Sequence, residues 1–160
     1  MVYLSLGSNL GDRAANLQAA IQCLRETETV TAVSGLYEAE PVELQEQPWF
    51  LNCVVALQTQ ESPAQLLKKA LSIEQQMGRV RLRDKGPRAI DIDIVLFGDT
   101  IVDDQGLKIP HPAMYRRRFV IAPLAEIAPD ALHPQLKKTA RELLAELPVG
   151  QVVRRLDSEI

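Results

Sequence analysis

Cysteine is scarce in this chain. Cys23 and Cys53 are the whole supply, and each stands in apolar company, Ile21 and Leu24 beside the first, Val54 and Val55 beside the second. Two such thiols make neither a disulfide framework nor a zinc site, and both are expected to be reduced core residues. No apolar run approaches the roughly 18 residues that a membrane span needs. The opening MVYLSLGSNLGD has no basic segment ahead of an apolar one, so it does not read as a secretion signal. A cytoplasmic location is expected. Charge of one sign is not in excess either: the net charge of −3 excludes a general polyanion binder. Repeats, low-complexity tracts and linkers are missing, and 160 residues predict one domain, 1–160, with one sizeable core. Its ends look complete, so a stand-alone protein is expected. Two nucleotide-handling devices are lacking as well. LGSNLGD has neither the Gly-Lys-Ser/Thr ending nor the spacing of a phosphate-binding P-loop, and the motif set of protein kinases is absent.

What is present alternates between strands and helices. Residues 2–7 alternate as a strand closed by a Gly-Ser-Asn turn, and Leu17, Ala20, Ile21 and Leu24 recur at helical spacing within 12–27. A second strand is expected over 30–38 with Gly35 as a possible bulge, then a loop over 39–49 and a buried strand over 50–59. Ser62-Pro63-Ala64-Gln65 is a capping box with proline at the first helical position, and that helix runs to Gly78. A basic loop covers 78–88, a strand 89–97 and a hairpin 101–109 turning at Asp104–Gly106. Residues 111–119 read as a loop or single helical turn, followed by apolar VIAPLAEIAP. Thr139 with Glu142 opens a last helix to about Leu147, and 151–156 make a final edge strand. The order β-α-β-β-α-β predicts an α+β fold with a ferredoxin-like core. Helices would pack on an antiparallel sheet in three layers, α/β/α.

One strand breaks the usual grammar. In GPRAIDIDIV (86–95), Ile90, Ile92 and Ile94 point one way, and Asp91 and Asp93 point the other, about 6.6 Å apart along the backbone. A solvated sheet face would explain polar residues there, but aspartate is a poor strand former and two on one face repel. Two hard carboxylates facing one spot suit Mg²⁺, which takes oxygen ligands and keeps waters and substrate phosphates as the rest of its shell.

Just upstream, Arg79, Arg81, Arg83, Lys85 and Arg88 stand against a single acid, Asp84, with Gly78 and Gly86 flanking the run. Guanidinium groups match phosphate oxygens bidentately. An arginine loop beside a Mg²⁺-binding strand is what phosphoryl transfer needs, and His111 with Arg116, Arg117 and Arg118 offers a second cationic group.

LSLGSNLGDR (4–13), QPWFLN (47–52), IEQQMGRVR (73–81), GPRAIDIDIVLFG (86–98) and IPHPAMYRRRFVIAPLAEIAP (109–129) together closely resemble the 6-hydroxymethyl-7,8-dihydropterin pyrophosphokinases of folate biosynthesis. The resemblance covers nearly the whole chain in the family's order, and the segment around GPRAIDIDI is its most specific part. It implies transfer of an intact diphosphate from ATP to the pterin's hydroxymethyl group, releasing AMP, with two Mg²⁺ ions on Asp91 and Asp93. It implies that Arg79 and Arg81 are catalytic and close over the triphosphate. Glu74, Arg88, Ile94, His111 and Arg117 would lie on the ATP side, where Lys108 would supply a charge that some relatives carry at position 106, a glycine here. The pterin would stack between Phe50 and Phe119, with its edge on Asn52, Asp91 beside it, and backbone around Glu40, Pro41 and Val42 completing the pocket. Read without the resemblance, Phe50 and Phe119 would be core aromatics and Asn52 a turn or edge residue. A monomer is expected, with ATP and the pterin as small-molecule partners and neither nucleic acid nor membrane. A two-metal nucleotidyl-transfer enzyme shares the carboxylate logic, but the chain is small, net acidic and without an extended basic face. A regulatory ligand-binding module would leave the acid pair and the arginine loop unexplained.

Overall fold

The computed structural model describes residues 1–40, 48–78, 89–150 and 152–156. Arg79, Arg81, Arg88, Pro41 and Val42, and the expected basic loop with them, lie outside the described residues.

Strand β1 (Val2–Ser8) leads through a tight turn into helix α1 (Arg13–Thr27). Asp12 caps that helix by accepting the Ala15 N–H. Asn16 reaches back to the Ser8 hydroxyl (3.1 Å) and the Leu10 carbonyl (2.8 Å), and Gly11 sits at φ +68°, so the turn is pinned from both sides. The expected second strand is two strands, β2 (Thr29–Val33) and β3 (Tyr37–Ala39). They are separate because they pair with different halves of β4 (Phe50–Gln58): Thr29 to Val33 lie along Gln58 to Val55, and Tyr37 to Ala39 along Asn52 to Phe50. Helix α2 (Pro63–Gln76) begins at the expected Ser62–Gln65 capping box and ends at Met77, with Gly78 following at φ +72°. β5 (Asp91–Phe97) follows.

Two short strands, β6 (Val102–Asp104) and β7 (Leu107–Ile109), form the expected hairpin. After a 3₁₀ turn at Met114–Arg116, the segment read only as apolar is a helix, α3 (Arg118–Ile127), with Pro123 inside it. Proline lowers helix propensity, but Val120, Ile121, Pro123 and Leu124 are all buried, and that packing outweighs the lost hydrogen bond. A small hairpin, β8 (Leu132–His133) with β9 (Lys138–Thr139), precedes α4 (Ala140–Glu146), which opens at the Thr139–Glu142 capping box. β10 (Val153–Arg155) is the expected edge strand.

The main sheet is six-stranded and antiparallel in the order β10-β3-β4-β1-β5, with β2 also on β4. One face buries Leu4, Leu6, Leu51, Cys53, Val55, Leu57, Ile92 and Ile94 against Leu17, Ala20, Ile21 and Leu24 of α1 and Leu66, Ala70 and Ile73 of α2. The other face buries Val54, Val95 and Leu96 against Val120, Ile121 and Leu124 of α3 and Ala140 and Leu143 of α4. β5 carries a β-bulge: Tyr3 pairs with Leu96 and Leu4 with Ile94, so Val95 is the extra residue and points with Leu96 into the second cluster. Among the described residues, no helix is long and apolar enough to cross a membrane.

Candidate active site

Side chains of residues directly opposite each other in a sheet share a face, and the register therefore assembles the site. Asp91 lies opposite Gly7, Gly7 opposite Asn52, and Asn52 opposite Tyr37. That row crosses β5, β1, β4 and β3. Asp93 heads the next row, opposite Ser5, which lies opposite Val54. Val54 already belongs to the cluster under α3 and α4. The face thus changes character along its strands: apolar and roofed by helices at Val54, Val95 and Leu96, polar where Asp91, Asp93, Ser5, Gly7 and Asn52 stand.

Asp91 and Asp93 are partly buried, on the same face as expected, with Ile92 and Ile94 in the core behind them. Between them the Ile92 N–H, on the open edge of the sheet, donates to the Glu74 carboxylate at 2.7 Å. Glu74 is itself buried, so α2 holds the edge strand at the point where both aspartates are mounted. The aspartates carry short side chains on a rigid, doubly braced strand, and their donor set of hard oxygens fits Mg²⁺.

His111 approaches from the far side of the bulge. Its main-chain N–H donates to the Val95 carbonyl at 3.0 Å, and its ring Nδ1 accepts the Ala113 N–H at 3.1 Å, which leaves the proton of the neutral ring on Nε2. Burial first, then the positive charge of Arg117, pushes the His111 pKa down to about 4, with Asp91 acting in the opposite direction. Arg117 and Asp91 therefore both act on the His111 ring. Arg117 in turn places its guanidinium 5.7 Å from the centre of the Phe119 ring.

Asn52 is 3% exposed, and its Nδ2 has no hydrogen-bond partner. A buried amide NH₂ left unpaired costs stability that a structural role would not require, so this atom is the strongest local pointer to a ligand. By strand alternation Phe50 shares its face, and α3, which carries Phe119, packs on β4 from that side. Glu40 exchanges hydrogen bonds with Val152: its N–H donates to the Val152 carbonyl at 3.1 Å, and its carboxylate accepts the Val152 N–H at 2.8 Å. Two of the expected ATP-side residues are placed differently from Glu74, His111 and Arg117. The Ile94 side chain is core, so only its main chain could meet a ligand, and Lys108 is exposed and paired with Asp103 at 2.9 Å.

Several residues of this region are not evident from sequence reasoning. Asn9 donates to the Pro48 carbonyl and Arg13 to the Trp49 carbonyl, fixing the chain as it enters Phe50. Arg154 lies over the Trp49 ring at 5.3 Å and pairs with Glu38 at 2.7 Å. On the roofed side, Glu126 of α3 accepts the Gly35 N–H and the Tyr37 hydroxyl. Burial and that carboxylate push the Tyr37 pKa up to about 12, so the phenol stays a donor. Gly7, read from the sequence as part of the turn closing the first strand, lies within β1, and a strand glycine is the signal that could have pointed to close packing here.

Residues 3–129 match the family model described as 7,8-dihydro-6-hydroxymethylpterin-pyrophosphokinase. A 2-amino-4-hydroxy-6-hydroxymethyldihydropteridine pyrophosphokinase of Methylorubrum extorquens is 44% identical over 154 residues, spanning 95% of this chain and 96% of the relative. One of Pseudomonas aeruginosa is 44% identical over 156 residues, spanning 96% and 95%. The folic acid synthesis protein fol1 of Schizosaccharomyces pombe is 43% identical over 150 residues, which are 92% of this chain but only 20% of that protein. The chain thus spans about a fifth of the fungal relative's length and nearly all of the bacterial ones. Among solved structures, a Plasmodium falciparum HPPK-DHPS triple mutant with pteroate superposes with a TM-score of 0.73 at 18% identity, covering 91% of this chain and 42% of that one, a likeness of fold. On the family model and these relatives, the chain belongs to the 7,8-dihydro-6-hydroxymethylpterin-pyrophosphokinase family.

Proposed function

We propose that this chain transfers diphosphate from ATP to the hydroxymethyl group of 6-hydroxymethyl-7,8-dihydropterin, releasing AMP, in folate biosynthesis. The observation that carries the reading is the row Asp91–Gly7–Asn52: a carboxylate and an unpartnered amide on one face, one strand apart on either side of a glycine. A pterin edge offers donors and acceptors for an amide, and the Asn52 carboxamide supplies both. Phe50 and Phe119 offer faces for the ring. With the pterin held there, its hydroxymethyl oxygen would lie on the side of the acid pair.

Asp91 and Asp93 would hold Mg²⁺, two ions in this reading, whose contribution when bound is to neutralise the phosphate oxygens of the nucleotide. Glu74 keeps β5 in position beneath them. His111 offers an Nε2 proton to a phosphate oxygen, and Arg117 adds a fixed positive charge. Arg79, Arg81 and Arg88 are assigned to the triphosphate on the family resemblance, Lys108 and the Ile94 main chain to the outer nucleotide, and Glu40, Pro41 and Val42 to the pterin. The hydroxyl oxygen attacks the β-phosphorus in line while the bond to the AMP oxygen breaks, and the hydroxyl proton passes to solvent. No side chain here is an obvious general base, so orientation and preorganised charge carry the rate.

The strand order β3-β4-β1-β5, with α1 and α2 on one face and α3 and α4 on the other, supports the ferredoxin-like, three-layer reading. A cytoplasmic monomer with small-molecule partners and no nucleic acid completes the proposal. Incubation with ATP, Mg²⁺ and the pterin should yield AMP, and no AMP without the pterin. Release of ADP, or AMP formation that ignores the pterin, sinks it.

A further inference from the structure

Gly7 is a glycine that its own backbone does not demand. The described glycines at positive φ are Gly11, Gly78 and Gly98, and Gly7 is not among them. It sits inside β1, where alanine would ordinarily be preferred because glycine loses more chain entropy and packs nothing. What forbids a side chain is across the strand. A Cβ at position 7 would stand 2.7 Å from Asn52 Oδ1 and 3.5 Å from Phe50 Cδ1, and the third-nearest atom is again of Asn52. Asn52 is 3% exposed, so its carboxamide cannot swing out to water to make room. It would have to rotate, carrying the unpartnered Nδ2 with it.

We propose that Gly7 is a positioning residue for pterin recognition: its missing side chain lets the Asn52 carboxamide and the Phe50 ring lie against β1 in the orientation that meets the pterin. The proposal rests on the pterin reading of Asn52. It makes the pterin side of the site, and not the nucleotide side, the one that position 7 controls, because the three atoms nearest an added Cβ belong to Asn52 and Phe50.

The test is a double-mutant cycle on the full chain with Gly7→Ala, Asn52→Ala and both together, following pterin Kd, ATP Kd in Mg²⁺, and Tm. In the Gly7→Ala chain, pterin Kd should rise roughly tenfold or more, about the worth of one amide hydrogen bond. ATP Kd should stay within about twofold, as for a distant, independent site, and any fall in Tm should be smaller in the Asn52→Ala background. In the Asn52→Ala background the same substitution should cost less than about threefold, because the group it displaces is gone. Equal loss in both backgrounds, or equal loss of ATP, overturns the proposal and leaves the pterin reading standing. An Asn52→Ala chain that binds pterin as well as wild type brings down the reading and the proposal together. If Gly7→Ala unfolds, folding of the double variant supports the same clash, and failure of both to fold overturns it.

Discussion

The two ends of one sheet face teach the most about this molecule. At one end Val54, Val95 and Leu96 lie under α3 and α4, every residue of them buried, and the cluster resembles any close-packed interior. At the other, on the same strands, stand Asp91, Asp93 and Asn52 around Gly7, with an amide that lacks a partner. The first end gains from folding alone. The second is polar and, under the proposed function, meets the substrates, so its residues should cost turnover more than stability when changed.

The sharpest way to break that contrast is Asp91→Ala. AMP formation should fall by roughly a thousandfold, far more than any accompanying change in thermal stability accounts for. A variant that unfolds instead would make the carboxylate structural. Leu124→Ala should do the reverse: Leu124 is fully buried under the roofed end, and its truncation should cost about 3 kcal/mol by denaturant unfolding. Its substrate KM values should be unaltered where the chain is still folded.

Glu74 tests the boundary between the two behaviours. Removing it (Glu74→Ala) leaves the Ile92 N–H without its carboxylate, which should cost roughly 2 kcal/mol. It should also raise the Mg²⁺ concentration needed for half-maximal rate, because the strand between the aspartates loosens. Hydrogen exchange at the Ile92 amide reads the first effect directly. The smallest effect concerns acid. The His111 pKa in the fold is about 4 against an ordinary 6.5, so the fold favours the neutral ring. That contribution is complete above about pH 6.5 and is lost as the pH falls through about 4. The Tm difference between wild type and His111→Gln should therefore shrink between pH 7.5 and pH 4.5, and a difference that grew would reverse the sign assigned here.

How much of this the residues disclose in advance depends on the range of the interaction. Both capping boxes, at Ser62 and Thr139, are local hydrogen-bond patterns and lie where the letters put them. The alternation that sets Asp91 and Asp93 opposite Ile92 is likewise a property of four consecutive residues. The break between β2 and β3 is not, because it depends on which half of β4 each strand meets. α3 was obscured by Pro123, whose local preference is overruled by burial. β8 and β9 are too short for any period to register. In the site, family resemblance gathered Asp91, His111, Arg117, Phe119 and Asn52 into one region, whereas the grip of Glu74 on Ile92 and the closeness of position 7 to Asn52 exist only across strands.

The extra residue in β5 has a consequence for how the chain tolerates changes of length. Past Val95 the odd and even positions trade sides, which is why Leu96 shares the aspartates' face and Phe97 packs with the opposite cluster. Losing one residue at 95 would simply straighten the strand and leave both acids facing the pocket. Losing one at 92 would set Asp91 and Asp93 on opposite sides of the sheet, driving a carboxylate into hydrocarbon.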